Sequence, residues 1–553
     1  MQFNLIDERW IPVIRRDGTK KMIAPWEVTK DFDENPVVAL DAPRPDFNGA
    51  LIQFLIGLVQ TVAAPENRFE WRKRLADPPP PDDLREKFES VRYAFELGGD
   101  GPRFMQDFEQ LTVTQGEIDG LLIDMPGEST TKKNTDHFVK RKTVVGMCPS
   151  CTATALFAMQ TNAPAGGQGN RTSLRGGGPL TTLVVADKQH ETLWQLVWLN
   201  VLELKTFSNI CGNADLTTEC SKFPWMAKTL TSEKEENFCL PNGFHPAVMF
   251  WGMPRRISLN LENILTGNCD ICGMLSDSLI QQYQQKNFGM NFIGAWLHPL
   301  SPYNAGNGDE PVPAHPQPGG VSYRHWLGLV QQDNGDNKMP ARVVHEFINH
   351  RQRDGWQFRL WAFGYDMKNM NARCWYESSM PLLYIGPSVR SKYENTVANM
   401  IKIAVLIGEN LRIGLKNSMH GKVVVDPITR KIKWEYKDIK KLPADEDKRR
   451  AKVLFETKES TALVSVEFFF WQNTEPRFYA LLSNVLKDFE SGKVPNSCLK
   501  EWHSCLCFEA EKMFDAYCWE VTLENSDPKR IVVARSEMQK FNRSNRVTNL
   551  LTT

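Results

Sequence analysis

Two cysteine pairs carry the clearest chemistry in this 553-residue sequence: Cys148-Pro-Ser-Cys151 and Cys269-Asp-Ile-Cys272-Gly273. Two thiolates at this spacing can bite one metal ion, and two such pairs complete the closed tetrahedral site of structural zinc. Pro149 and Gly273 suit the tight turns of such knuckles. The 117 residues between Cys151 and Cys269 far exceed a zinc-ribbon spacing. A shared site would therefore clip together distant parts of the chain. The competing reading is two unrelated pairs of buried cysteines. The spacing favours one structural zinc per chain on Cys148, Cys151, Cys269 and Cys272.

Other chemical motifs fail on spacing. His345-Glu346-Phe347-Ile348-Asn349-His350 puts its histidines at i and i+5, whereas a zinc-protease helix needs i and i+4 to share one face. Gly414 to Gly421-Lys422 has six residues between its glycines where a P-loop has four, and no Ser or Thr follows the lysine. Gly166-Gly167-Gln168-Gly169 does not fit the dinucleotide fingerprint. No nucleophile elbow and no compact carboxylate cluster for a two-metal nuclease is legible, which points away from an enzyme. Two loops remain. Thr130 to Thr143 is basic around Phe138, and Ala163 to Gly178 holds six glycines around Arg171 and Arg175. Basic side chains neutralise phosphates, and glycine lets a backbone approach a groove closely.

The elements that must position these residues fall into two textures. The first ~380 residues mix short β-type runs with helical patterns. Leu51 to Val62 reads as a buried helix, Leu180 to Val185 and Trp356 to Phe363 as strands, and Pro302 to Gly320 as an exposed loop. From about Ser388 the periodicity is helical. Further helices are expected over Ser460 to Phe489, after Pro495 with Asn496 or Ser497 as cap, and from Asp527 onward. A hairpin is expected at 422–436, turning at Asp426-Pro427. The fold class is α+β: a mixed α/β N-terminal domain (1–385) with a zinc-knuckle-like site, then a C-terminal four-helix bundle (386–553).

Lys plus Arg and Asp plus Glu both total 66, so the net charge is zero. A protein gripping nucleic acid unaided would carry a basic surplus. No apolar run reaches the ~18 residues of a membrane span, and the opening residues lack a signal-peptide layout. A cytoplasmic protein is expected.

In order and spacing, several segments resemble the large subunit of the type I-E CRISPR Cascade complex, the CasA family. These are Phe3 to Val13; Arg103-Phe104-Met105-Gln106; the first cysteine pair with Ala155-Leu156-Phe157; Ala163-Pro164; Leu174-Arg175-Gly176-Gly177; Gly294 to Pro299 with Ser301-Pro302; and Gly364-Tyr365-Asp366. They span most of the first 385 residues. The resemblance implies a non-enzymatic subunit of an RNA-guided antiviral surveillance complex, not a homo-oligomer, in which guide RNA reads the target. Its partners would be guide RNA, the other Cascade subunits, target double-stranded DNA and a helicase-nuclease recruited in trans. The subunit would read the protospacer-adjacent motif (PAM) from the minor groove and help open the duplex.

Carried over by position, the family's glycine loop falls on Gly166, Gly167, Gln168 and Gly169, with Gln168 where glycine is common. Its groove-reading lysine falls at Lys286 or one position away at Asn287. The wedge falls near Lys368, Asn369 and Met370, without the family's glutamine. The loop near the guide RNA's 5′ end falls on Asn134 to Lys140, anchored by Phe138. A zinc clip would then tie the bases of three contact loops together. The alternative from a different class is a stand-alone, zinc-containing nucleic-acid enzyme.

Overall fold

The structure is a computed structural model. It describes residues 1–126, 142–187, 191–211, 221–234, 237–305, 310–331, 337–351, 356–368, 371–425, 427, 432–436, 445, 448–450, 452–453, 461–521 and 527–551. The chain divides into two compact units. One comprises Met1–Val321 with Gly328–Leu382, and the other Ser322–Leu327 with Leu383–Thr553. The mixed α/β and helical textures fall on the two units as the α+β reading expects.

The N-terminal unit is organised around helix α1, Pro45–Val62. Pro45 occupies its first turn, where a missing N–H costs nothing. The helix is apolar on every side, and 14 of its residues are buried, as expected of a helix enclosed by a core. Phe54 sits at the centre and meets five other rings edge-on: Trp10, Phe95, Phe104, Phe157 and Trp251, at centroid distances of 5.2–5.9 Å. Trp10, Phe104 and Phe157 belong to the segments that carry the family resemblance. Those motifs are core packing, and their order reflects one shared interior.

Small antiparallel sheets surround this core. Strands β1 (Ile11–Arg15), β2 (Lys20–Ile23) and β3 (Val37–Leu40) form one, in the order β2-β1-β3. A second joins β4 (Gln115–Glu117), β9 (Gln282–Lys286) and β6 (Arg256–Leu259), with β9 central. A two-stranded ribbon pairs β7 (Ile264–Asn268) with β8 (Leu275–Ile280). A third three-stranded sheet has the order β14-β13-β5, with β5 at Thr181–Ala186, β13 at Phe358–Lys368 and β14 at Asn371–Leu382. Sequence alternation ends the first strand of that long hairpin at Phe363. The structure carries it five residues further, because β14 pairs along its whole length.

Two expectations change. Pro302–Gly320, read as an exposed loop, supplies two short strands, β10 (Tyr303–Asn304) and β11 (Val312–Pro313), and β12 (Lys338–Met339) pairs on the other side of β10. It also buries Tyr303, whose hydroxyl accepts from the His298 amide at 2.8 Å and donates to the Trp296 carbonyl. Segment 322–327 joins the helical unit, where the Tyr323 ring stacks on Phe478 at 4.5 Å and its hydroxyl meets Thr474 at 2.9 Å.

In the C-terminal unit, α4 (Pro387–His420), α5 (Thr461–Glu490), α6 (Asn496–Asp515) and α7 (Pro528–Asn542) follow α2 (Pro149–Asn162) and α3 (Leu193–Leu199) of the first unit. Helix α4 packs on α5, α6 and α7; α5 packs on α6, and α6 on α7. Asp527 caps α7 by accepting from the Lys529 amide. At α6 the cap position is Pro495, and no side chain caps it, so neither Asn496 nor Ser497 has that role. Hairpin β15 (Gly421–Val425) and β16 (Ile432–Tyr436) follows α4. The zero net charge is a cancellation: this unit has 29 Lys and Arg against 22 Asp and Glu, and the other has 37 against 44.

Phe54→Ala is expected to cost ~3–5 kcal/mol, because five ring contacts lose their common partner. Phe69→Ala, at a side chain 80% exposed, should change stability by less than ~0.5 kcal/mol. Urea unfolding followed by tryptophan fluorescence checks both.

Candidate metal centre and nucleic-acid interface

The four cysteines come together. Cys148 is the N-cap of α2, with Pro149 in the first turn and Cys151 one turn inside. Cys269 and Cys272 close the turn between β7 and β8, where Gly273 takes φ +73° and its amide donates to the Cys269 carbonyl at 2.8 Å. All four sulfurs lie within 4.8 Å of one another, and Cys148 Sγ is 3.7 Å from Cys272 Sγ. Zinc–sulfur bonds of ~2.3 Å in a tetrahedron put sulfurs ~3.8 Å apart, so the donor set fits such an ion. Cys148, Cys151 and Cys269 are buried and Cys272 is half-buried. Contacts among the four sulfurs and burial push the Cys148 and Cys151 thiols above their ordinary value, while contacts with Cys148 and Cys151 hold Cys269 well below it and bring Cys272 down to about 7. The positive end of α2 favours thiolate further.

The clip is locked from the backbone. The Cys148 amide donates to Cys269 Sγ at 3.3 Å. The Asp270 carboxylate accepts from the Val145 and Gly146 amides at 2.7 and 2.8 Å. Met147 and Ile280 exchange amide–carbonyl hydrogen bonds of 3.0 and 2.8 Å. Ile280 ends β8, and β9 starts two residues later, so the register of the cluster passes directly into β9.

At the far end of β9 stand Lys286, Asn287 and Phe288. The Asn287 side chain donates to the Gln168 carbonyl at 2.7 Å, and the Phe288 amide donates to the Gly169 carbonyl at 2.7 Å. Gly167 and Gly169 have φ of +68° and +77°, in the left-handed region natural to glycine. Phe288 also adopts a positive φ, +65°, which is costly for an aromatic residue and requires surrounding contacts to hold it. Ser232 provides one, donating its amide to the Phe288 carbonyl at 3.1 Å. Beneath the loop, Arg255 Nη1 donates to Asn170 Oδ1 at 2.5 Å and Nη2 to the Pro164 carbonyl.

The structure thus brings Gly167, Gln168, Gly169, Lys286 and Asn287 into one region, with Gly166 preceding it in the same loop. Lys368 ends β13 in a different sheet and pairs with Asn371 across the hairpin. Asn369 and Met370, together with Asn134, Phe138 and Lys140, lie outside the described residues.

The arginines of the glycine-rich stretch are already engaged. Arg175 is 3% exposed; it donates to Gln53 Oε1 at 2.6 Å and to Thr181 and Ser301 hydroxyls at 3.1 Å, and burial pushes its pKa down to about 10. Arg171 donates to the Ser232 hydroxyl and carbonyl at 2.8 and 3.2 Å. Neither offers a free guanidinium to a phosphate. Gly176 and Gly178 also serve packing. A Cβ at Gly178 would lie 2.7 Å from the Tyr365 carbonyl oxygen, and one at Gly176 would lie 2.7 Å from the His315 ring. At Gly167 the nearest atom, Asn170 Nδ2, would be 3.8 Å away, an ordinary contact that does not crowd a Cβ.

Sequence reasoning missed Arg255, Ser232 and the carboxylates near Lys286. The adjacent Arg255-Arg256 at the start of a short, buried strand was the available signal. The histidine motif passes from a helical turn, Arg342–Glu346, into a wider π-helical turn, Phe347–Arg351. There Glu346 pairs with Arg342 at 2.8 Å. Among the described residues, the four cysteines are the one group of Cys, His, Asp and Glu side chains placed to hold a metal. No described helix is long and apolar enough to cross a membrane.

The family model for CRISPR-associated protein Cse1 matches residues 4–512. The chain belongs to the Cse1 family. Solved Cse1 structures share its fold across the whole chain. Thermobifida fusca Cse1 is 16% identical with TM-score 0.68, covering 100% of this chain and 99% of that one. Thermus thermophilus CasA (Cse1) is 15% identical with TM-score 0.66, at 100% and 99% coverage. A chain described as belonging to a CRISPR RNA-guided surveillance complex is 14% identical with TM-score 0.65, at 98% and 100% coverage. At such identities the Cse1 likeness is one of fold.

Elemental analysis of the purified full chain should find about one zinc per molecule, and C269S/C272S should lose it. In that variant the N-terminal unit should unfold at lower denaturant, with the helical unit's transition unmoved.

Proposed function

We propose that this protein is the non-catalytic large subunit of an RNA-guided CRISPR surveillance complex that recognises the PAM in double-stranded DNA. The observation that carries the reading is the junction of the positive-φ glycine loop with the end of β9, in a chain of the Cse1 family. A backbone without side chains can enter a minor groove, where the hydrogen-bond code is degenerate. Gly166, Gly167, Gln168 and Gly169 make that approach, while Lys286, or Asn287 one position away, reaches acceptors on the groove floor.

Opening of the duplex falls to Lys368, at the end of β13, together with Asn369 and Met370. Unstacking a base step costs a few kcal/mol, which an inserted side chain helps to offset. Asn134, Phe138 and Lys140 are the residues that would meet the guide RNA near its 5′ end. The helical unit, with its basic surplus, packs on neighbouring subunits and helps recruit the helicase-nuclease. The four-cysteine site takes zinc, whose part is to hold the loop bases together. The complex is cytoplasmic, and the chain enters it as a single copy.

Gly167→Asn separates groove approach from folding. Asparagine tolerates the left-handed region, and nothing in the fold crowds a Cβ at that position. The variant should fold and assemble with guide RNA and partner subunits, yet bind PAM-bearing duplex at least tenfold more weakly in a mobility-shift titration, equivalent to ~1.4 kcal/mol or more. Unchanged affinity would remove the glycine loop from the groove.

The isolated chain should bind the same duplex weakly and with little PAM preference at physiological salt, since its N-terminal unit carries a net negative charge. Tight, PAM-selective binding by the free subunit would contradict the shared-grip reading.

A further inference from the structure

Strands β6 and β9 place Arg256 and Lys286 directly opposite each other. Like charges in that position destabilise a sheet unless acids intervene. Three do. Asp107, fully buried, accepts from Arg256 Nε at 2.6 Å. Glu109 lies 2.8 Å from Lys228 and 3.6 Å from Arg256. Glu233 lies 3.7 Å from Lys286 and 3.9 Å from Arg256. Three cations thus meet three anions. Asp107 is committed to Arg256, and Glu109 stands closest to Lys228. Glu233 is the acid facing Lys286.

Its placement is fixed from behind. The neighbouring Ser232 donates its amide to the Phe288 carbonyl and its hydroxyl to the Gly289 carbonyl, and it receives Arg171. The contacts that hold the glycine loop therefore also hold Glu233 beside the lysine. Both members of the pair are about half exposed, at 45% for Lys286 and 51% for Glu233, so DNA can displace one from the other.

We propose that Glu233 is a positioning residue that acts as the resident counter-ion of Lys286, so that the PAM contact forms by exchanging its carboxylate for acceptors on the DNA. The inference rests on the reading of Lys286 as a groove contact. A carboxylate that must be displaced weakens target binding, and removing it should tighten the complex. A role confined to fold stability gives the opposite sign, because loss of Glu233 would leave Arg256 and Lys286 in mutual repulsion.

The test uses the assembled complex with guide RNA and a PAM-bearing duplex, comparing wild type, E233Q, K286A and the double variant. E233Q should bind about two- to fivefold more tightly, as expected for loss of one exposed ion pair, and dissociate more slowly. K286A should weaken binding, and the gain from E233Q should vanish in its background. Unchanged or weaker binding by folded E233Q overturns the exchange, as does a gain that persists without Lys286. If K286A itself leaves binding unchanged, the reading of Lys286 fails, and the exchange fails with it.

Discussion

Four cysteine sulfurs within 4.8 Å of one another are the constraint on which the described interface depends. Burying several thiolates together is unfavourable without a cation, because their charges repel in a poorly solvated space. A metal reverses the sign, and ligand binding then becomes folding free energy. The consequence spreads along the backbone. Once Cys148 and Cys269 are fixed, the Met147–Ile280 bridge follows, and β9 follows within two residues. The last residue of β9 is Lys286, and the next two grip the glycine loop. One cross-link between distant parts of the chain thereby sets the position of both β9 and the glycine loop.

Charge is arranged at two scales. Across the chain, an acidic N-terminal unit and a basic C-terminal unit cancel to zero. Within the N-terminal unit, the sextet around Arg256 cancels again, and its one buried pair is fully compensated by geometry. Local neutrality leaves the end of β9 with little pull on a polyanion at long range, since exposed charges act over only about 8–10 Å at physiological salt.

Much of this was legible in the sequence, for reasons that differ by element. The cysteine pairs were readable because metal chelation fixes spacing, whatever the distance between the pairs. Helix α1 and the C-terminal helices were readable because their apolar periodicity is long. What escaped reading was decided by tertiary partners. Segment 322–327 joins the helical unit through Tyr323, whose ring needs Phe478 and Trp502, over 150 residues later. Pro302–Gly320 looks like solvent-facing loop until Tyr303 finds the carbonyl of Trp296. The arginines of the glycine-rich stretch look like phosphate ligands by type, but Gln53, Thr181, Ser301 and Ser232 already occupy them. Residue type states what a side chain can do; only its neighbours state whether it is available to do it.

The six glycines between Ala163 and Gly178 sharpen that point. Gly176, Gly177 and Gly178 sit against atoms of the fold, and a Cβ at any of them would fall within 3.2 Å of another residue. Gly169 is confined in the same way by the Phe288 ring, at 2.9 Å. Gly167 differs, because its conformation requires glycine or asparagine while the space beside it stays uncrowded. A glycine kept for packing is explained by what it touches within the chain. Beside Gly167 the nearest neighbour, the Asn170 side chain, stands at 3.8 Å, an ordinary contact that leaves room for a side chain. The least crowded part of the run is therefore the short stretch around Gly167, held at its base by Arg255 and at its side by Asn287.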